Sequence, residues 1–235
     1  MLDSVINSRV VQKMTKIIEN AVVIGATGLI GKALLILLNH CENCAKITAI
    51  VRHIEPSLAH LEKVKWQIVS DFMQLRASDF EDYSHLFSCL GTTLKQAGSK
   101  QKFYDIDYGI NAHIAQQLKG KKIHYVLISS MGANSKSIFY YQRVKGQLEE
   151  LVQALGLYQT SLLRPSLLIG TRKDARLLED LAQGLYRNIA KNLNIQSSYM
   201  PVDATKVAYT MVEIAQHQTE RFRIYDNLDI QKILF

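Results

Sequence analysis

The sequence predicts an α/β fold in which helices cover both faces of a doubly wound, parallel sheet. Short apolar runs of strand length alternate with longer amphipathic runs of helix length along the 235 residues. The first apolar run, at residues 21–24, passes into a glycine-rich turn, and an apolar helical pattern follows that turn at once. Strands that alternate with helices pair in parallel through right-handed crossovers. Ligands of such a sheet bind beyond the carboxyl ends of its strands.

The first half of the chain contains a leading helix and the start of this alternation. Apolar residues recur at helical spacing near the N-terminus and predict an amphipathic helix over residues 1–18. Residues 21–24 are uninterrupted apolar residues and predict the first strand, and the apolar pattern at 29–39 predicts the helix after it. Residues 46–51 are β-branched and apolar, as in a buried strand, and residues 58–64 are consistent with a short helix.

The remaining elements continue the same order. Four more short apolar runs predict strands at residues 66–69, 86–91, 125–130 and 161–165. A long helix follows the fourth strand, with an apolar face made of Phe103, Ile106, Ile110, Ile114 and Leu118. Another helix spans 140–155 and ends at Gly156, a residue that commonly follows the last turn. We therefore expect a single domain, with a small region on the substrate side at residues 166–235.

Three glycines in the order G-x-x-G-x-x-G separate the first strand from the first helix: Gly25, Gly28 and Gly31. The first lets the chain turn sharply, the second lets backbone N–H groups approach a pyrophosphate, and the third lets the helix pack close to the sheet. The helix also points its free N–H groups and positive dipole end at that anion. Glycine spacing alone is a weak signal, but the strand before it and the helix after it predict a dinucleotide-binding site.

The end of the second strand indicates which dinucleotide binds. Sites that prefer NAD usually carry an acidic residue there, which holds the ribose 2′-hydroxyl. Here the strand ends in Val51-Arg52-His53, and the first carboxylate is Glu55. An arginine can form paired hydrogen bonds with a 2′-phosphate. The sequence therefore favours NADP over NAD, although a solvated Arg52 at a strand end is the alternative interpretation.

Tyr141 and Lys145 form a Y-x-x-x-K pair on the helix that follows the fifth strand. Residues four apart share a helix face, so the phenol and the ammonium can point into one site. A free phenol has a pKa of about 10, too high for proton transfer at neutral pH, and a neighbouring ammonium lowers it. A serine at the end of the fifth strand, Ser129 or Ser130, would hold the substrate oxygen by a hydrogen bond.

Together these motifs resemble the short-chain dehydrogenase/reductase family, whose members have a Rossmann fold and include proteins related to NAD-dependent epimerases and dehydratases. Cys89-Leu90-Gly91-Thr92-Thr93, Ser129-Ser130-Met131-Gly132-Ala133, Val144-Lys145-Gly146 and Arg164-Pro165 further resemble an atypical branch that includes a Tat-interacting oxidoreductase. The resemblance spans roughly residues 20 to 216.

The resemblance implies roles for particular residues. Tyr141 would be the proton donor or acceptor, and Lys145 would hold the nicotinamide ribose. The expected cofactor contacts, besides these two, are Gly25, Ala26, Thr27, Gly28, Leu29, Ile30, Gly31, Arg52, Asp71, Leu90, Gly91, Thr92, Leu168 and Arg176. The catalytic serine is Ser129 by the spacing of the branch and Ser130 by the wider family. Because successive strand residues point in opposite directions, only one can face the nicotinamide, and Ser130 is slightly favoured.

The function that these motifs predict is an NADP(H)-dependent oxidoreductase acting on a small carbonyl or alcohol. The alternative belongs to another class: a cofactor-binding regulator or assembly factor of the same fold that acts through protein contacts. The fold does not distinguish the two. An intact set of serine, tyrosine and lysine favours the enzyme, whereas the short region after Pro165 leaves few elements to enclose a large substrate and favours the regulator.

Composition and charge indicate which partners, metals and cellular locations to expect. The formal charge of +7 comes from basic residues scattered along the chain, so nucleic acid is not an expected partner. Cys41 and Cys44 form a C-x-x-C without a second pair of ligands, and we expect no metal site. No apolar run approaches the roughly 20 residues of a membrane span, and charges interrupt the N-terminus, so we expect a cytoplasmic protein without an integral membrane segment. The helix predicted at 1–18 would pack on its own domain or form a contact with a protein partner or a second subunit, with a membrane surface or a disordered leader as further alternatives.

Overall fold

The computed structural model describes residues 16–169 and 199–233 of the chain. Its central sheet contains seven parallel strands: β1 (Ile18–Ile24), β2 (Cys44–Val51), β3 (Val64–Ile68), β4 (His85–Ser88), β5 (His124–Ile128), β6 (Gln159–Leu163) and β9 (Phe222–Tyr225). Their order across the sheet is β3-β2-β1-β4-β5-β6-β9. A second, two-stranded sheet pairs β7 (Leu168–Ile169) with β8 (Val202–Asp203). The expected doubly wound parallel sheet is confirmed.

Helices cover both faces of the central sheet. On one face lie α1 (Leu29–His40) and α6 (Ala204–His217), and on the other lie α4 (Asn111–Gln117) and α5 (Tyr140–Leu155). The shorter helices are α2 (Leu94–Ala97), α3 (Lys100–Tyr104) and α7 (Asn227–Lys232). No helix in the described residues is both long and apolar enough to cross a membrane.

The core consists of two apolar layers separated by the sheet. In β1, Ala21 and Val23 face the layer beneath α1 and α6, whereas Val22 and Ile24 face the layer beneath α4 and α5. All four side chains are fully buried, as expected for a strand of a parallel sheet that is covered on both sides.

The structure corrects several boundaries. The helix predicted at 58–64 is wrong: a 3₁₀ turn at Pro56–Leu58 is followed by β3, because Val64 pairs with Ile47 of β2. The leading helix cannot reach residue 18, since Ile18 begins β1 and pairs with Cys44. The rest of that helix, residues 1–15, lies outside the described residues.

The long helix predicted after the fourth strand is interrupted. Thr93 caps α2 and Ser99 caps α3, each accepting a hydrogen bond from a backbone N–H in the first turn. A π-helical segment, Asp105–Ile110, then joins α3 to α4. Segments of this kind widen the helix and recur at functional sites. Strand β9 and the small β7–β8 sheet were not expected from the sequence.

Candidate active site

The glycine loop lies where the sheet order reverses, between β1 and β4. Gly25 has a φ of +71°, and a Cβ on it would stand 2.5 Å from the backbone carbon of Cys89, directly after β4. A Cβ on Gly31 would stand 2.2 Å from the Gly25 carbonyl oxygen, so α1 packs against the loop at this point. Gly28 is the N-cap residue of α1, and no side chain caps that helix. The loop therefore offers backbone N–H groups at the ligand-binding edge of the sheet.

Arg52 and Glu55 differ in their contacts at the carboxyl end of β2. Arg52 is exposed and has neither an ion pair nor a hydrogen bond with any residue in the described part of the chain. The carboxylate of Glu55 lies 2.7 Å from the ammonium of Lys32 on α1 and also accepts a hydrogen bond from Ser57. Lys32 lowers the pKa of Glu55 through its hydrogen bond. The carboxylate of Glu55 is thus paired with Lys32, while the guanidinium of Arg52 is available to a ligand.

Asp71 lies three residues after the end of β3 and is exposed. Its carboxylate accepts a hydrogen bond from the backbone N–H of Met73 at 2.8 Å and so begins a 3₁₀ turn. The residue follows the carboxyl end of β3, and its contact with the cofactor stays a prediction.

The segment that follows β4 forms the floor of the site. Gly91 is exposed, and a Cβ on it would stand 3.6 Å from the ammonium nitrogen of Lys145 and 3.2 Å from a carboxylate oxygen of Asp107. The backbone N–H of Thr92 donates to the other oxygen of Asp107 at 2.8 Å. Leu90 packs against the core layer beneath α4 and α5.

Tyr141 and Lys145 lie one turn apart near the start of α5, which begins at Tyr140. The ring of Tyr141 packs against Phe103, with 5.5 Å between ring centroids. Its hydroxyl makes no hydrogen bond with a described residue. The adjacent Tyr140 differs, because its hydroxyl donates to the carbonyl of Lys100 at 2.9 Å. Of the two tyrosines, only Tyr141 combines a lysine at i+4 with a hydroxyl open to a ligand.

Ser129 and Ser130 directly follow β5 and differ in the contacts of their hydroxyls. The Ser129 hydroxyl is buried and donates to Glu149, whose carboxylate also accepts from Arg164 Nε at 3.0 Å. The Ser130 hydroxyl is also buried but has no hydrogen-bond partner among the described residues. A buried hydroxyl without a partner costs free energy unless a ligand satisfies it. Ser130 is therefore the serine whose surroundings fit a ligand.

Lys145 is almost fully buried, with a side-chain exposure of 4%, and its Nζ lies 2.7 Å from Oδ1 of Asp107, whose side chain is 0% exposed. Burial is the largest single influence and works to lower the pKa of Lys145, but the interactions with Asp107, Tyr141 and Glu149 together outweigh it, so the net shift is upward. Asp107 was not among the site residues predicted from the sequence. The one available signal was an acid four residues after Phe103, next to the apolar face of the predicted helix.

Leu168 lies in β7, where it pairs with Val202 of β8, and its side chain packs against the core layer beneath α1 and α6. Arg176, the other residue suggested after the Arg-Pro turn, lies outside the described residues. The C-x-x-C pair is at the amino end of β2, away from the ligand edge, and burial raises the pKa of Cys44 to about 12. The described residues contain no cluster of side chains suited to hold a metal ion.

Comparison with known proteins shows the family to which the chain belongs. No protein-family model matches the chain. A protein named FMP52-1, mitochondrial, from Scheffersomyces stipitis is 34% identical over 206 residues, which cover 86% of this chain and 90% of the relative. FMP52 of Candida albicans, also named mitochondrial, is 34% identical over 199 residues, covering 83% of this chain and 86% of the relative. The chain belongs to the FMP52 family.

Membership of the FMP52 family corrects the expected location. The charged N-terminus led to the prediction of a cytoplasmic protein, whereas the relatives are named mitochondrial proteins. The prediction was wrong because a charged N-terminus excludes only a secretory signal peptide, which needs an apolar core. Mitochondrial targeting segments are amphipathic and basic, so the same features do not oppose a mitochondrial location.

Solved structures share the fold of this FMP52-family chain at low identity. A UDP-N-acetylglucosamine 4-epimerase from Methanobrevibacter ruminantium has a TM-score of 0.64 at 14% identity, covering 88% of this chain and 76% of that one. The NAD-dependent NDP-hexosamine 5,6-dehydratase TunA has a TM-score of 0.65 at 15% identity, with coverage of 88% and 75%. These likenesses confirm the Rossmann fold. The finer resemblance to the Tat-interacting branch stays a prediction.

Proposed function

We propose that this protein is an NADP(H)-dependent oxidoreductase that acts on a small carbonyl or alcohol, with Tyr141 as its proton donor or acceptor. The observation that carries the proposal is a pair of hydroxyls, at one edge of the sheet, that make no hydrogen bond with a described residue. The Tyr141 hydroxyl and the Ser130 hydroxyl have no partner among the described residues, and both belong to the elements that flank the end of β5. The fold is that of proteins named NAD-dependent enzymes, which supports a nicotinamide cofactor.

The residues present fit such a cofactor. The uncapped start of α1 and the turn at Gly28 would hold its pyrophosphate, because exposed backbone N–H groups and the helix dipole favour an anion there. Lys145 would hold the nicotinamide ribose, because its ammonium lies next to Gly91, which is exposed and has no side chain to block a ligand. When bound, NADPH supplies a hydride to the carbonyl carbon of the substrate.

Arg52 supports NADP over NAD. Its guanidinium is exposed and without a partner in the described residues, whereas the nearest carboxylate, on Glu55, is already bound to Lys32. A carboxylate in that position would repel a 2′-phosphate, but one neutralised by an ammonium does so weakly. The guanidinium would form paired hydrogen bonds with the phosphate.

Three side chains would divide the chemistry of carbonyl reduction. Ser130 would donate a hydrogen bond to the carbonyl oxygen and hold it in place. Tyr141 would transfer its phenolic proton to the same oxygen as the carbon accepts the hydride, and the reverse reaction would return that proton. Lys145 would make the phenolate left behind less costly, because a nearby positive charge favours the ionised phenol.

We further propose that the protein works in mitochondria, as the names of its relatives state of them. Its substrate would then be a small carbonyl or alcohol that is present in mitochondria. Tagged full-length protein, followed by fractionation of the cells, tests the location: recovery in the cytosolic fraction alone would refute it.

Turnover of NADPH with a panel of carbonyls tests the activity. Tyr141→Phe should abolish reduction, a loss of roughly 10²–10⁴-fold expected for a general acid, while NADPH binding stays nearly intact. Tyr140→Phe is the matched control, because its hydroxyl bonds to the carbonyl of Lys100, and it should retain activity. Full activity in Tyr141→Phe would reject the dehydrogenase mechanism. NADPH binding without turnover of any carbonyl by the native protein would instead favour a cofactor-binding regulator.

A further inference from the structure

Asp107 connects three parts of the candidate active site. Its Oδ2 accepts from the backbone N–H of Thr92, after β4, and its Oδ1 lies 2.7 Å from the ammonium of Lys145 on α5. The residue itself belongs to the π-helical segment Asp105–Ile110. The carboxylate is thus an anchor for the floor of the site and a counter-ion for its lysine.

The Lys145–Asp107 ion pair is shielded from bulk water, with a side-chain exposure of 4% for Lys145 and 0% for Asp107. A buried ion without its partner is costly. The groups that face the Lys145 ammonium are Asp107 from the π-helical segment and, from its own helix, Tyr141 and Glu149. Glu149 is itself bound to Arg164 and Ser129, which leaves Asp107 as the carboxylate dedicated to the lysine.

The contact with Asp107 leaves N–H donors of the Lys145 ammonium available to a ligand. The approach of Nζ to Oδ1 forms an ion pair rather than a well-aligned hydrogen bond, and Oδ1 has no other donor in the described residues. Lysine carries three N–H donors, and no other acceptor contacts Lys145 in the described part of the chain. The pair can therefore stay in contact while the remaining donors reach a ligand over Gly91.

We propose that Asp107 is a positioning residue that keeps Lys145 protonated, so that the lysine can assist Tyr141 at alkaline pH. This inference rests on the proposed oxidoreductase function. Asp107 touches neither substrate nor the reacting atoms. It acts through Lys145, by offsetting the desolvation that would otherwise drive the ammonium to release its proton.

The substitution Asp107→Asn tests this role while preserving shape, since the amide oxygen can still accept from Thr92. Two effects of the lost charge act in the same direction on carbonyl reduction. A buried lysine without a counter-ion loses its proton at lower pH, and while it remains charged its unopposed field makes Tyr141 lose its proton at lower pH. The alkaline limb of kcat/KM should therefore move down by about 1 to 3 pH units, the range over which one neighbouring charge shifts a pKa. At pH 6 the variant should keep turnover close to that of the native enzyme.

Asp105→Asn is the matched control. Asp105 lies on the same π-helical segment but is exposed, and among the described residues its side chain bonds only to Gln101, so its removal should leave the pH profile unchanged. An Asp107→Asn profile that coincides with that of the control would overturn the proposal. A loss of activity that is uniform across pH would also overturn it, because this would indicate a purely structural role.

The native protein offers a test that does not depend on the folding of a variant or on turnover. In NMR spectra of protein labelled at lysine Nζ, with Lys145→Arg used for assignment, the Lys145 signal should titrate above the ordinary range for lysine. Titration below that range would overturn the role of Asp107. Absence of turnover in the native enzyme, together with a high Lys145 pKa, would instead reject the proposed oxidoreductase while leaving the Asp107–Lys145 pairing intact.

Discussion

At the scale of single residues, Arg52 makes the sharpest prediction about the cofactor. Its guanidinium is exposed and unpaired within the described residues, while Glu55 is held by Lys32. At matched concentrations NADPH should raise the melting temperature more than NADH, since stabilisation follows affinity. Arg52→Ala should remove most of that difference, whereas His53→Ala, also exposed and adjacent in sequence, should not. Equal shifts with both cofactors, or a preference that survives in Arg52→Ala, would contradict the role given to Arg52.

Some residues of the candidate site could be predicted from the sequence and others could not. Tyr141 and Lys145 could be predicted because one helical turn brings them together, and that distance is local. The choice between Ser129 and Ser130 depended on which side of the strand end faces Glu149, which the sequence does not state. The role of Asp107 could not be predicted, because it depends on a contact with Lys145, which is distant in sequence and lies on α5.

At the scale of elements, the carboxylate of Glu149 joins α5 to the ends of two strands. It accepts from Ser129 after β5 and pairs with Arg164 after β6, and it is nearly fully buried. Glu149→Gln should lower the free energy of unfolding by about 2 to 4 kcal/mol, since it leaves a partly buried guanidinium without its counter-ion. Glu150→Gln is the control: that side chain is exposed, contacts Ser135 and should change stability by less than about 0.5 kcal/mol. Denaturant unfolding at pH 7 measures both, and equal stability of the two variants would refute this role.

Elements also differ in how clearly the sequence marks them. β1, β2 and β5 each contain a run of mostly apolar residues that is buried on both faces, so they could be predicted, although β1 begins at Ile18 rather than at residue 21. β9 is only four residues long and contains the exposed Arg223. Its Phe222 and Ile224 are partly buried and only Tyr225 is buried, so it lacks such a run. It is a strand because β6 offers it a parallel edge, a long-range condition that no local pattern contains.

At the scale of the whole molecule, a buried polar network lies at the amino ends of β4, β5 and β6, opposite the candidate active site. Nδ1 of His85 lies 2.9 Å from Ser84 Oγ, and His124 Nε2 lies 2.7 Å from Ser161 Oγ. The two imidazole rings are 5.5 Å apart. Burial lowers the pKa of His85 to about 4 and also lowers that of His124, so both are neutral in the folded protein at pH 7.

This network predicts how stability depends on pH. A histidine whose folded pKa lies below its unfolded value of about 6.5 binds its proton more readily after unfolding, so its contribution is complete above pH 6.5 and is lost as pH falls towards 4. The His85 shift corresponds to about 3 kcal/mol over that window, because each pKa unit is worth about 1.4 kcal/mol. Unfolding free energies measured between pH 7 and pH 4 should therefore fall less steeply in His85→Gln than in the native protein, even if the variant starts lower. His53→Gln, at an exposed site, should keep the native slope. Parallel curves for His85→Gln and the native protein would show that the buried imidazole does not control the acid sensitivity of the fold.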